Sequence, residues 1–122
     1  MAIVGLDHIN IRTADLARTE AFFVDVLGLV KGWRPQASID GAWLYAGEQA
    51  MVHLVKADQP ALPSKGSALD HFAFAIDDYE DAVRKLEAHG VAFRSADLPG
   101  GARQLFITEM NGVTFELNCR AP

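Results

Sequence analysis

Short stretches of this chain alternate between polar and apolar residues, and twice the alternation gives way to helical spacing. In the run His8 to Arg12, Ile9 and Ile11 take one parity while His8, Asn10 and Arg12 take the other, as in a strand with one apolar and one polar face. Later, Phe72, Phe74 and Ile76 share one parity, and His71 stands on the other with the small Ala73 and Ala75, which leave space around it. Leu16, Phe22, Phe23, Val26 and Leu27 predict a helix that starts after the Thr13/Asp15 cap region and ends near Gly28. A second helix opens on the capping-box-like Asp77-Asp78-Tyr79-Glu80, continues through Ala82, Val83 and Leu86, and stops before Gly90. Near the C-terminus, Asn111-Gly112 between residues 104–108 and 113–118 predicts a tight hairpin whose two central residues both take positive φ.

The pattern repeats. Leu6-Asp7-His8 is echoed by Leu69-Asp70-His71 at an offset of 63 residues, and the same offset carries His53 onto Glu116. Both of those are polar residues inside apolar strands. One offset relating two pairs of ligand-capable residues predicts two tandem β-α-β-β-β modules, an α+β chain whose strands form a cupped mixed sheet. Module 1 covers about residues 1–57, a linker with Pro60, Pro63 and Gly66 covers 58–66, and module 2 covers about 67–122.

Composition narrows the partners. The 122 residues suit a single domain, and a net charge of −5 with no basic stretch argues against a nucleic-acid footprint. No apolar run reaches membrane-spanning length, so no membrane partner is expected. The start MAIVGLDH lacks the basic flank and long apolar segment of a secretory signal, so a cytoplasmic protein is expected. Cys119 is the only cysteine, which rules out an intrachain disulfide and a thiolate cluster. It shares a parity with Phe115 and Leu117 and reads as a small buried hydrophobe.

His8, His53, His71 and Glu116 all stand at the parity opposite to neighbours that look like core. Each alone reads as an ordinary structural residue, a hydrogen-bonded histidine or a surface carboxylate. As a set related by the repeat, they read as the ligands of one divalent metal ion per site. Three imidazoles and a carboxylate suit Zn, Ni, Co, Mn or Fe without selecting among them. Trp43 and Tyr45 share a strand parity and are candidates to line a pocket, although such pairs are commonly packing alone. Asn10 and Arg12 follow His8 on the polar face, where Arg12 reads either as the partner of a carboxylate-bearing substrate or as a solvated rim charge. His89, just before Gly90, reads as a helix C-terminal histidine with no catalytic role.

At these residues the chain resembles the vicinal oxygen chelate superfamily, which includes glyoxalase I, methylmalonyl-CoA epimerase, extradiol dioxygenases, and fosfomycin and bleomycin resistance proteins. The likeness rests on LDHINIRTADLARTEAFFVDVLGL, MVHLV, LDHFAFAIDDYEDAVRKLEAHGV and NGVTFEL. It implies a glyoxalase-like fold, a small-molecule substrate chelated through vicinal oxygens, and a homodimer. It also implies a lyase or isomerase in which His8, His53, His71 and Glu116 ligate the metal, which acts as a Lewis acid on a developing enediolate while Glu116 moves a proton. His53 departs from the Glu or Gln usual at the second ligand position. Ala57 stands where a glutathione-binding Asn is expected. The resemblance also leaves open an Fe(II) extradiol-type dioxygenase with His8, His71 and Glu116 as facial triad and His53 as the acid–base residue. Against that branch, Phe106 occupies the approximate place of its active-site tyrosine. A protein of bleomycin resistance type, which sequesters a drug without catalysis, is the reading from outside enzymology.

Overall fold

The computed structural model describes residues 1–121. The chain divides into two compact units, Met1–Pro60 and Ala61–Pro122. In the first unit, strand β1 (Ile9–Thr13) leads into helix α1 (Leu16–Ala21), followed by β2 (Val30–Gly32), β3 (Gly41–Ala46) and β4 (Gln49–Lys56). The sheet order is β1-β4-β3-β2, with β1 parallel to β4 and the other pairs antiparallel. Phe23, Leu44, Val52 and Leu54 are completely buried, with Ile11 and Val26 beside them. Each such side chain contributes roughly 1.5–3 kcal/mol when removed from water.

The second unit repeats the plan. Strand β5 (His71–Ile76) precedes helix α2 (Tyr79–Ala88), then β6 (Arg94–Asp97), β7 (Arg103–Thr108) and β8 (Thr114–Cys119). Its order is β5-β8-β7-β6, again with the first and last strands parallel. Leu86, Leu105, Ile107 and Phe115 form its core. These are the two β-α-β-β-β modules expected from the repeat.

The 63-residue offset extends to details of register and capping. His53 on β4 is flanked by Asn10 and Trp43, while Glu116 on β8 is flanked by Ala73 and Phe106, which are the offset partners of those residues. Asp15 caps α1 by accepting from the Arg18 N–H, and Asp78 caps α2 by accepting from the Asp81 N–H. In the first unit the cap is tied to the strand before it, because the buried Thr13 and Thr19 hydroxyls lie 2.8 Å apart and Thr13 Oγ1 accepts from the Asp15 N–H.

Three local expectations change. The first helix does not run regularly to Gly28: after Ala21 it widens into a π-helical turn, Phe22–Val26, in which the Leu27 N–H bonds to the Phe22 carbonyl. The wider turn accommodates the adjacent rings of Phe22 and Phe23, which meet edge to face with centroids 5.2 Å apart. In the last hairpin only Gly112 has positive φ, at 80°, and Asn111 does not. The cause is Glu109, whose carboxylate accepts from the Asn111 and Val113 N–H groups and folds the turn without a left-handed asparagine. His8, finally, lies immediately before β1 and not within it. Among the described residues, no helix is long and apolar enough to cross a membrane.

Candidate functional site

The first unit holds His8 and His53. Asp7 Oδ1 lies 2.7 Å from His8 Nδ1, which fixes the proton on that nitrogen and leaves Nε2 as the free lone pair. The His8 ring stacks on His53 with centroids 3.8 Å apart and planes 9° from parallel. The opposite face of His53 stacks on Trp43, at 4.1 Å and 13°. Trp33 meets Trp43 edge-on. His53 is thus the middle ring of three, only 9% exposed, and its pKa is lowered, first by burial and then by the neighbouring His8.

Beside this stack lies an open cavity of about 650 Å³, lined by His8, His53, Trp43, Tyr45, Asp7 and Glu48 among others. The Tyr45 hydroxyl donates to the Trp33 carbonyl at 2.6 Å, and its ring lies where any side chain on Gly32 would stand. Gln49 donates to the carbonyls of Leu6 and Asp7, at 3.2 and 2.6 Å, anchoring the segment that carries His8. Of the expected substrate-binding residues, Trp43 and Tyr45 line the cavity. Asn10 and Arg12 are exposed and do not line it, although Asn10 pairs with His53 across the sheet and Arg12 stands two residues further along β1.

The second unit holds His71 and Glu116. His71 Nδ1 is 2.6 Å from Asp70 Oδ1, and Asp70 Oδ2 accepts the Gly66 N–H at 2.7 Å. His71 Nε2 is 2.7 Å from Glu116 Oε2, while Gln104 donates to Glu116 Oε1, also at 2.7 Å. Both ring nitrogens therefore face carboxylates. The His71 pKa is raised, first by its hydrogen bond to Asp70, with Glu116 adding to the effect. Glu116 is only 8% exposed, and this partner set is what makes a carboxylate tolerable there. Two residues along β8, Asn118 Oδ1 is buried without a hydrogen-bond partner.

Each unit thus supplies two of the four expected ligands. Among the described residues, neither unit gathers three His, Cys, Asp or Glu side chains around one point. The donor chemistry fits a divalent cation of borderline softness. In both units an aspartate immediately before the histidine holds Nδ1, the usual outer-shell support of a metal-binding imidazole, and in the second unit Nε2 faces Glu116. In the second unit His71 Nε2 and Glu116 Oε2 lie 2.7 Å apart, and these are the two groups that would hold such a cation there. The first unit fits with one adjustment: near-parallel rings share no point in their planes, so joint ligation by His8 and His53 requires the stack to splay. Asp7, Asp70 and Gln104 bond to the expected ligands, and sequence reasoning missed them. The two aspartates were visible in the Leu-Asp-His echo, whereas the contact of Gln104 depends on the pairing of β7 with β8.

Comparison with known proteins gives concordant findings. The family described as Glyoxalase/Bleomycin resistance protein/Dioxygenase superfamily matches residues 5–117. The uncharacterised protein YaeR of Escherichia coli (strain K12) is 30% identical over 125 residues, covering 96% of this chain and 97% of that protein. Among solved structures, a variant of the fosfomycin resistance protein FosX from Listeria monocytogenes, in complex with Mn(II) and 1S,2S-dihydroxypropylphosphonic acid, superposes with a TM-score of 0.77. It is 18% identical, covering 98% of this chain and 95% of that one. Lactoylglutathione lyase from Agrobacterium tumefaciens gives a TM-score of 0.71 at 19% identity, covering 98% and 96%. At these identities the structural likeness shows a shared fold.

Proposed function

Because the chain belongs to the glyoxalase, bleomycin resistance protein and dioxygenase superfamily, we propose that it is a metal-dependent lyase or isomerase in which His8, His53, His71 and Glu116 hold one divalent cation. The observation that carries this reading is the repeated Asp–His pair, Asp7–His8 and Asp70–His71, each holding Nδ1 so that Nε2 is the nitrogen that would ligate. The Mn(II) bound by the fosfomycin resistance relative supports it. When bound, the cation would supply Lewis-acid polarisation of two vicinal substrate oxygens.

The chain's own residues account for the rest. Glu116 is the proton carrier: Gln104 donates to Oε1 and His71 Nε2 stands 2.7 Å from Oε2, so the carboxylate is held in place from both sides. Its strand position is fixed by pairing with both Ala73 and Phe106, and Ala73 leaves room beside it. Trp43 and Tyr45 form the apolar wall of the cavity beside His8 and His53. A homodimer is part of the proposal, because two-fold pairing allows the His8/His53 and His71/Glu116 halves to be drawn from different chains.

The test is exchange of the hydrogen on the carbon next to a substrate carbonyl for solvent deuterium, followed by proton NMR over a panel of α-hydroxy carbonyl compounds and hemithioacetals. Wild type loaded with Zn, Ni, Co or Mn should catalyse exchange, and Glu116→Gln should not. Absence of exchange across the panel would remove the enzyme reading and leave a sequestering protein.

One observation favours a second reading. His53 is buried between two rings and kept neutral, which suits an acid–base residue that does not ligate. His8, His71 and Glu116 would then form a facial triad on Fe(II), and catechol ring opening under oxygen is its assay.

A further inference from the structure

The row of the first sheet next to His53 carries two guanidinium groups and no carboxylate. Arg12 on β1, Val55 on β4 and Gly41 on β3 pair across the strands two residues along from Asn10, His53 and Trp43, so the two rows share a face. The buried Ala42, Leu44, Val52 and Leu54 take the other face. Gly41 has no side chain, and the Arg34 guanidinium uses the space: a Cβ on Gly41 would stand 2.8 Å from Arg34 Nη2. The row therefore presents Arg12, Val55 and Arg34, with Arg12 and Gly41 two strand spacings apart, roughly 10 Å. Arg34 is half-buried, and its hydrogen bond from Nη2 to the Ile39 carbonyl, at 2.9 Å, occupies one of five N–H donors. Among the described residues neither Arg34 nor Arg12 has an ion-pair partner, whereas Lys31, Arg84, Lys85 and Arg103 all do. Asp40, beside Gly41 in sequence, pairs with neither. A divalent cation held by His53 would add positive charge from the next row, and Arg34 is close enough for its own charge to be felt at His53. Asp7 and Glu48 line the cavity beside Tyr45 and Ala50, on the far side of the His53 row. In the second unit the offset partners of Arg12, Val55 and Gly41 are Ala75, Asn118 and Gln104, so that row has no cation.

We propose that Arg34, with Arg12 across Val55, is a subsite for an oxyanion of the substrate, carried roughly 7 Å along the strands from the row that holds His53. The inference rests on the metal-site reading for its place in the reaction, while the arginines make the contact themselves. A guanidinium and an oxyanion about 4 Å apart in a water-like dielectric favour binding about five-fold. Two parallel N–H bonds to the anion strengthen the contact, and salt weakens it by shortening the Debye length.

The experiment uses the full chain loaded with Zn(II), with 4-methylcatechol and 3,4-dihydroxybenzoate as vicinal-oxygen probes that differ by one anionic group. Zinc uptake is measured first by equilibrium dialysis, and probe affinities then by calorimetry at low ionic strength. The ratio of benzoate to methylcatechol affinity should fall about five-fold in Arg34→Gln, with zinc uptake and methylcatechol affinity as in wild type. The preference that survives in the variant is owed to the metal. In wild type the Arg34 Nε–Hε NMR signal should move much further on adding the benzoate than on adding 4-methylcatechol, a readout that does not depend on the variant folding. A ratio that Arg34→Gln leaves unchanged, or an Arg34 signal that both probes move alike, overturns the proposal. Zinc uptake with neither probe bound overturns it while sparing the metal site. No zinc uptake overturns the metal reading, and the same ratio and signal in the metal-free chain then decide the subsite separately, absence of binding there overturning it too.

Discussion

Replacing Asp70 with Asn tests whether the aspartate before each histidine is part of the metal site. The side chain keeps its shape, but the negative charge 2.6 Å from His71 Nδ1 is lost, and the amide cannot accept from both His71 and the Gly66 N–H as the carboxylate does. In the wild type Asp70 is the first cause of the raised His71 pKa, so in the variant that pKa falls back toward the ordinary histidine value. Loss of such an outer-shell partner lowers metal affinity by roughly ten- to hundred-fold. The matching Asp7→Asn change should fall at the lower end of that range. The side chain of Asp7 is 89% exposed against 46% for Asp70, and solvent screens it more. The sign with pH separates orientation from mere charge. Metal binding must displace the proton from His71, so wild-type affinity falls as pH drops through its raised pKa, whereas the variant begins to lose affinity at lower pH. The gap between the two is therefore widest at neutral or mildly alkaline pH and narrows in acid. In metal-free protein the stabilisation from protonated His71 is present below the ordinary histidine pKa and is lost as pH rises through the raised value. Zinc titration calorimetry at several pH values provides the measurement. Equal affinities at neutral pH, or a gap that widens on acidification, would refute the reasoning.

Trp43→Leu removes one face of the His53 stack, so the lowered His53 pKa should move up toward its ordinary value in an NMR titration. Gly41→Ala places a methyl group onto the backbone carbonyl of Leu54, and strain of this kind costs about 1–3 kcal/mol, read as a lower midpoint in urea denaturation. Phe115 is completely buried against Phe72 and Phe74, so Phe115→Ala should cost about 3–5 kcal/mol in the same assay. Burial raises the pKa of Glu109; its folded value lies above its unfolded one, so this group favours folding more as pH falls through that window. Glu109→Gln should flatten that part of the stability–pH curve.

The fold was legible because hydrophobic parity repeats. The echo of Leu-Asp-His and the offset from His53 to Glu116 carry the same information as the observed sheet orders, and the Asp15 and Asp78 caps follow from local chemistry. The offset also assigned the expected ligands His8 and His53 to one module and His71 and Glu116 to the other, whereas the placing of His53 beside Asn10 and Trp43 follows from strand register. Side-chain contacts across strands were not. The sandwich of His53 between His8 and Trp43 depends on rotamers as well as register, and the grip of Gln104 on Glu116 joins residues on different strands. The Asn111 turn misled because the buried Glu109 carboxylate supplies acceptors that outweigh the intrinsic preference of an Asn-Gly pair. The widened helical turn at Phe22 was not legible, because the shift of the Leu27 N–H to the carbonyl five residues back is a backbone detail that apolar spacing does not specify.

The most direct test of the central claim is metal stoichiometry and affinity in wild type beside His8→Ala, His53→Ala, His71→Ala and Glu116→Ala, each stripped and reloaded with several divalent cations. The account predicts one ion per site in the wild type and weakened binding in all four variants. A wild type that binds none of the cations, or a His53→Ala protein that holds its metal as tightly as wild type, would contradict the four-ligand site.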